Sequence, residues 1–346
     1  MNTHPAPTRP ILARPLLALA PMQAVTNLPF MRVMQQYGGP DYYVTEYFRV
    51  HADYSLEQKI LRSITENETG RPVFAQLIGQ DIEALVRTAK ELQAYPIAGI
   101  DLNLGCPAPV VCRKDAGGGL LRKLDHMERI IASLREAVDG KFTVKTRVGY
   151  HSHDEFSDLL EIFKRHSIDT LTIHGRTVSE RYQTPIHTDC IRLAVEQMDC
   201  PVMANGNVVD VDTGLGAIRK TKASGLMIGR GAIRNPWIFD QLRDSFSGQS
   251  PRELTRADLL AYIDSLYHEI ASHADDFDPS KHVNRMKKYM LYIVQGVDEA
   301  FEHRIRRVST PESFHSTCRD FLDNNEPLPA RPPEKSKLFC GFDALR

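Results

Sequence analysis

The sequence predicts an α/β protein, a (β/α)8 barrel of the TIM type followed by a smaller C-terminal all-helical domain. Three observations predict it. Short apolar, β-branched runs alternate with longer amphipathic stretches at a spacing of roughly thirty residues, the pattern of parallel βα units. Polar or reactive residues recur at the C-terminal ends of those runs, the end at which such a barrel gathers its active site. After Trp237 only helical periodicity continues.

The runs, in order, are residues 16–21, 42–46, 73–79, 99–105, 142–149, 170–176, 201–206 and 225–231. Between them, residues 81–95, opened by acids, and 125–138, with Asp125 as cap, read as helices. Residues 254–273, 281–294 and 311–322 read as three further helices with no strand between them. The organisation is therefore a barrel over 1–240, a helical domain over 245–325, and an extended tail over 326–346 that begins with the proline-rich stretch 327–333. A doubly wound sheet is the competing architecture. Its first strand would be followed by a Gly-x-Gly-x-x-Gly turn, and Ala18-Leu19-Ala20-Pro21-Met22 stands there instead.

Composition narrows the function. A chain of 346 residues has room for a barrel of about 250 residues and a second domain. With 42% hydrophobic and 25% charged residues it is neither fibrous nor disordered. A net charge of −1 excludes a global positive field, so a nucleic-acid partner would have to meet a local basic face. No apolar run reaches the roughly 18 residues of a membrane span, and residues 1–15 lack the apolar core of a signal peptide, so a cytoplasmic protein with no membrane partner is expected. Its 6 cysteines form no close C-x-x-C pair, which argues for reduced thiols and no metal centre. A monomer is the working expectation.

The chemistry sits at the strand ends. Ala204-Asn205-Gly206-Asn207-Val208 and Ile228-Gly229-Arg230-Gly231 put small residues and backbone N–H groups where barrels commonly bind phosphate, although glycines there also serve tight turns. Arg230 would add charge-assisted contacts. Lys145 points a cation inward from the fifth strand, suited to the negative charge a reduced flavin carries near N1 and O2. A structural lysine there would need an anionic partner. Gln76 and His174 are placed to hydrogen-bond the polar edge of an isoalloxazine ring, and His174 is equally readable as a satisfied rim histidine. Cys106, between Gly105 and Pro107, ends the fourth strand and leaves its thiol on a loop at the mouth. Free cysteines are usually small buried hydrophobes, the reading kept for the other five. Facing the cofactor from the rim, Cys106 is the candidate catalytic acid.

Taken together these segments resemble the tRNA-dihydrouridine synthase family. The matching pieces include Ala20-Pro21-Met22-Gln23, Thr45-Glu46, Phe74-Ala75-Gln76-Leu77, Asp101-Leu102-Asn103-Leu104-Gly105-Cys106-Pro107, Gly117-Gly118-Gly119-Leu120-Leu121, Val144-Lys145-Thr146-Arg147, Ile173-His174-Gly175-Arg176-Thr177, Ala204-Asn205-Gly206 and Met227-Ile228-Gly229-Arg230-Gly231. They stand in family order. Arg285-Met286-Lys287-Lys288-Tyr289 resembles the family's basic helix that faces tRNA.

The resemblance implies FMN contacts at Pro21, Met22, Gln76, Lys145, His174, Asn205, Gly206, Gly229 and Arg230, with Gln23 and Asn207 beside them as departures from the family's usual residues. It puts the family's proton donor at Cys106. The reaction implied is NADPH-driven reduction of a D-loop uridine in tRNA, with hydride going to C6 and the Cys106 proton to C5. The base would be flipped into the site. Asn103 and Arg147 or Arg176 would hold the uracil edge, while Arg285 and Lys287, within the basic stretch 281–307, would grip the RNA backbone. The stretch 45–50 leans towards the subgroup that acts at D-loop position 16. Two other readings stay open: a dihydroorotate dehydrogenase-like flavoenzyme acting on a free pyrimidine, and a non-catalytic tRNA-binding factor that keeps the barrel.

Overall fold

Strands buried on both faces form the wall of the protein, which is why their sequences read as continuous apolar runs rather than alternating ones. The computed structural model describes residues 13–182, 184–273 and 277–339. The reading of residues 1–15 as lacking a signal core therefore falls almost wholly outside the described residues, as do Cys340 and the end of the tail.

All eight expected runs are strands: β1 (Leu16–Leu19), β2 (Tyr43–Val44), β4 (Val73–Ile78), β5 (Gly99–Leu104), β6 (Lys141–Arg147), β7 (Thr170–His174), β8 (Val202–Asn205) and β9 (Gly225–Ile228). A short β3 (Phe48–Arg49) pairs with the end of β4. The sheet runs β1-β9-β8-β7-β6-β5-β4-β2 with every pairing parallel, and a bridge between Ala18 and Tyr42 joins its two ends into a ring. The register sets Gln76 opposite Asp101, Asp101 opposite Thr143, Asn103 opposite Lys145 and Arg147 opposite His174. With a side-chain period of two, these residues share the inner face and climb towards the mouth.

The helix Ile82–Leu92 starts on Asp81, whose carboxylate accepts the Ala84 N–H at 2.9 Å. The cap expected at Asp125 is not there. The helix Leu124–Ala137 begins after Lys123, which makes no side-chain cap, and Asp125 lies inside the first turn, where it meets the positive end of the helix dipole.

After β9 the chain is helical. The three expected helices are Arg256–Ser272, Pro279–Ile293 and Pro311–Leu322, with the shorter Arg230–Arg234 and Ile238–Phe246 before them and Glu299–Ile305 between the last two. Capping boxes at Thr255 and Thr310, and the Asp278 and Asp298 caps, set where they start. An isolated antiparallel bridge, Thr255 to Pro327, lies where no strand was expected.

This helical segment is bonded to the barrel. Tyr262 donates to the Ile233 carbonyl and Tyr289 to that of Val25, each at 2.9 Å, and Tyr289 stacks on Phe30. The buried Arg234 donates to the carbonyls of Gln295, Pro329 and Ala330, which folds the proline-rich stretch back onto the barrel. Among the described residues no helix is long and apolar enough to cross a membrane.

Candidate active site

The C-terminal strand ends surround a cavity of about 700 Å³. Cys106 stands at its wall with Asn103, Lys145, Arg147 and His174, and the loop residues Pro21, Met22, Gln23, Asn205, Gly206, Asn207, Gly229 and Arg230 complete the circle. Four expected site residues do not line it: Gln76, Arg176, Arg285 and Lys287.

Gln76 lies one layer lower, fully buried, in a chain of hydrogen bonds. Thr143 donates to one oxygen of Asp101 at 2.6 Å, and Gln76 Nε2 donates to the other at 2.7 Å. Gln76 Oε1 accepts from Asn103 Nδ2 at 2.8 Å, and Asn103 Oδ1 accepts the backbone N–H of both Gly105 and Cys106 at 3.0 Å. A carboxylate has no proton to give, so Gln76 must turn its amine towards Asp101 and its carbonyl towards Asn103. Asn103 then meets the strand-end loop with its carbonyl. Burial lifts the Asp101 carboxyl to about 6 against its hydrogen bonds and the Lys145 charge, which pull it down.

Burial first, and Arg147 second, bring the Lys145 ammonium down to about 8, while Asp101 and Cys106 act the other way. Lys145 Nζ donates to Asn205 Oδ1 at 3.2 Å, and Asn205 is held in that orientation because its amine donates to the Met227 carbonyl at 2.7 Å. The Cys106 thiol is pushed above its ordinary value by burial, with Arg147 and Lys145 offsetting only part of the rise. It therefore carries its proton at neutral pH, as a general acid requires. His174 is held well below its ordinary value by burial and the surrounding arginines and lysine, so its ring is neutral. Its buried Nδ1 has no hydrogen-bond partner.

The two expected substrate arginines are largely committed to the protein. Arg147 donates to the carbonyls of Gly105, Thr177 and Arg181, tying the Cys106 loop to the loop after β7. Arg176, 1% exposed, donates to the Thr184 carbonyl and to Asn207, leaving Nη1 buried without a partner. On the helix Pro279–Ile293 it is Lys288, rather than Arg285 or Lys287, that reaches the cavity, together with Tyr292. Tyr47, Tyr182 and Leu338 also line it and carried no chemical signal in the sequence. The Tyr182 ring sits against both Arg147 and Arg230, with their guanidinium carbons 5.2 and 4.6 Å from its centroid. Gly206, at φ 122°, takes a backbone conformation that a side chain would strain. No group of three or more metal-ligating side chains gathers among the described residues.

Fold and site together define a barrel enzyme with a proton-loaded thiol and a half-buried lysine on the wall of one cavity at the mouth. A family model described as Dihydrouridine synthase (Dus) matches residues 18–326. A probable tRNA-dihydrouridine synthase of Helicobacter pylori is 32% identical over 322 residues, covering 92% of this chain and 94% of the relative. One of Staphylococcus epidermidis is 30% identical over 322 residues, covering 91% and 95%. The chain belongs to the dihydrouridine synthase family. A morphinone reductase mutant solved with tetrahydroNAD shares the barrel alone, with a TM-score of 0.50 at 9% identity over 66% of this chain and 86% of that one.

Proposed function

We propose that this chain reduces the C5=C6 bond of a D-loop uridine in tRNA, drawing electrons from NADPH through FMN. The observation that carries the reading is a thiol held protonated on the same cavity wall as the half-buried Lys145 cation. Family membership supplies the substrate class.

The residues present fit FMN. On the cavity wall His174 Nδ1 is a buried polar atom without a hydrogen-bond partner, the half-buried Lys145 ammonium bonds Asn205 and, among the described residues, no carboxylate, and Arg230 stands beside the Gly206 and Gly229 turns where a phosphate would be met. Bound there, FMN would supply the two-electron chemistry that passes a hydride from NADPH to C6 of the uracil. The chain does the rest. Cys106 gives its proton to C5, so that one hydride and one proton saturate the bond. Asn103, its carbonyl spent on the loop and one N–H on Gln76, offers its remaining N–H to a uracil carbonyl. Lys145 would offer positive charge to the reduced cofactor. Pro21, Met22, Gln23 and Asn207 shape the walls. The helical segment, through Lys288 with Arg285 and Lys287, meets the RNA backbone. On this reading the protein acts as a monomer, with tRNA as substrate and the cytoplasm as its place of work.

Purified Cys106→Ala protein should remain yellow and be reduced by NADPH, while dihydrouridine formation on unmodified tRNA falls by on the order of 10²–10⁴-fold. Undiminished formation would overturn the role. Turnover of orotate in place of tRNA would move the chain to the free-pyrimidine reading.

A further inference from the structure

A second cleft, of about 580 Å³, opens on the outer side of the Cys106 loop. Arg49, His51, Arg113 and Lys114 line it, all solvent-exposed. Its two carboxylates are already engaged. Asp81 caps a helix by accepting the Ala84 N–H, and Asp115 is bonded by Arg122 at 2.9 Å and Lys123 at 2.8 Å. In a chain of net charge −1, this local positive excess is a matter of placement rather than composition. Beside the cations stands Val110, 49% exposed, one of two large apolar side chains left in solvent among the described residues. Exposed cations around a bare apolar side chain suit a ligand with a phosphate and a flat apolar face.

The cleft is mechanically joined to the catalytic cavity at both ends. Cys112 Sγ and the Gly118 N–H both bond the Cys106 carbonyl, so the turn bearing Arg113 and Lys114 is fixed to the catalytic loop. On the other side Arg49 Nη2 donates to the hydroxyl of Tyr47, and Tyr47 lines the cavity. Lys288 faces the cavity from the helical segment.

We propose that this cleft is a nucleotide subsite for the RNA strand carrying the reducible base: Arg49, Arg113 and Lys114 take a phosphodiester adjacent to the flipped uridine, and Val110 takes the face of the neighbouring nucleoside. The inference rests on the function proposed above. A polymer whose chain continues beyond the reduced base must leave the cavity across its rim, and this is a positively charged way out. The phosphate of NADPH could use the same cations, and the test separates the two sources.

The test uses flavin-loaded enzyme and unmodified tRNA transcript. In the Arg113→Glu/Lys114→Glu double variant, Kd for tRNA should rise about tenfold or more, and the slope of log affinity against log salt should flatten by about one for each phosphate no longer neutralised. The rate and KM of flavin reduction by NADPH should not change. Arg113→Gln/Lys114→Gln should lie between, with an unchanged melting temperature. A distant pair of equal charge change, Lys164→Glu/Lys220→Glu, should leave Kd within about twofold. The subsite is wrong if the double variant binds tRNA like wild type, weakens no more than the distant pair, or raises KM for NADPH while tRNA binding holds. Wild-type enzyme that neither binds nor reduces tRNA sinks the proposed function itself. An active wild type with an indifferent double variant sinks only the subsite.

Discussion

Two arcs of the barrel interior are built on opposite terms. One, carried by β8, β9, β1 and β2 and the start of β4, holds Ala18, Ala20, Val44, Phe74, Met203 and Met227 as an apolar cluster, of which Ala20 and Met227 reach the cavity wall. The other, on β4 to β6, holds Gln76, Asp101, Asn103, Thr143 and Lys145 joined by hydrogen bonds or facing one another across the sheet. The first arc stabilises the fold simply by leaving water. In the second, charge is held at a cost, because burial displaces both its acid, to about 6, and its base, to about 8, towards their neutral forms. Each unit of displacement corresponds to about 1.4 kcal/mol. A barrel needs no such arc to fold, so its presence beneath Cys106 marks chemistry.

The largest expected effect that tests this contrast comes from Lys145→Met. Removing the cation should cut dihydrouridine formation by on the order of 10²–10³-fold, the usual result of deleting one preorganised electrostatic group. The apoprotein, by contrast, should melt higher at neutral pH. The folded pKa of Lys145, about 8, lies below its ordinary 10.5, so folding disfavours the charged form. That penalty is present in full below about pH 8 and fades as pH rises towards 10.5. A melting gap between variant and wild type that fails to close over that range would break the account.

Asp101→Asn should act more gently. The folded pKa of about 6 exceeds the ordinary 3.8, so the cost of the carboxylate is complete above about pH 6 and disappears as pH falls towards 3.8. The variant apoprotein should gain up to about 3 kcal/mol at pH 7 and nothing at acid pH, read from denaturant midpoints across pH. The new amide can still accept from Gln76 while donating to the Thr143 hydroxyl, so activity should fall less than in Lys145→Met. An equal loss would mean that the charge of Asp101 itself, beyond the polarity it gives the amides, is used.

The polar arc was half legible in the sequence. Asp101 and Asn103, two apart in an apolar run, have to share a face, and Cys106 and Lys145 stand at strand ends where a barrel keeps its chemistry. Gln76 was read as touching the cofactor edge, but its side chain lies a layer below, because its partners come from β5 and no local pattern reports cross-strand depth. Arg147 and Arg176 looked like substrate cations. Much of each guanidinium bonds loop carbonyls, although Arg147 still lines the cavity, and where carbonyls point is fixed by tertiary structure alone. Tyr182 and Leu338 reach the mouth from segments far apart in the chain, and nothing in their own neighbourhoods announces them, whereas Tyr47 and Lys288 lie in stretches the resemblance marks, 45–50 and 285–289, without any local sign that they, rather than their neighbours, line the cavity. The strands were easy for the opposite reason: burial on both faces writes each one as a contiguous apolar run closed by glycine or a polar rim residue.

The smallest expected effect lies in the apolar arc. Met203, fully buried, rests against Gly225 on the neighbouring strand, where an added Cβ would come within 2.7 Å of its sulfur. Met203→Leu keeps volume and apolarity while giving up the thioether's flexibility, so stability should change by less than about 1.5 kcal/mol. Because the arc contributes packing and no charge, dihydrouridine formation by the flavin-loaded variant should stay within about twofold of wild type, the range in which transition-state stabilisation is essentially intact. Denaturant unfolding and turnover measured side by side decide the matter. A tenfold fall in turnover with stability intact would show that the apolar arc holds the polar one in register, and the two halves of the barrel would then have to be treated as one device.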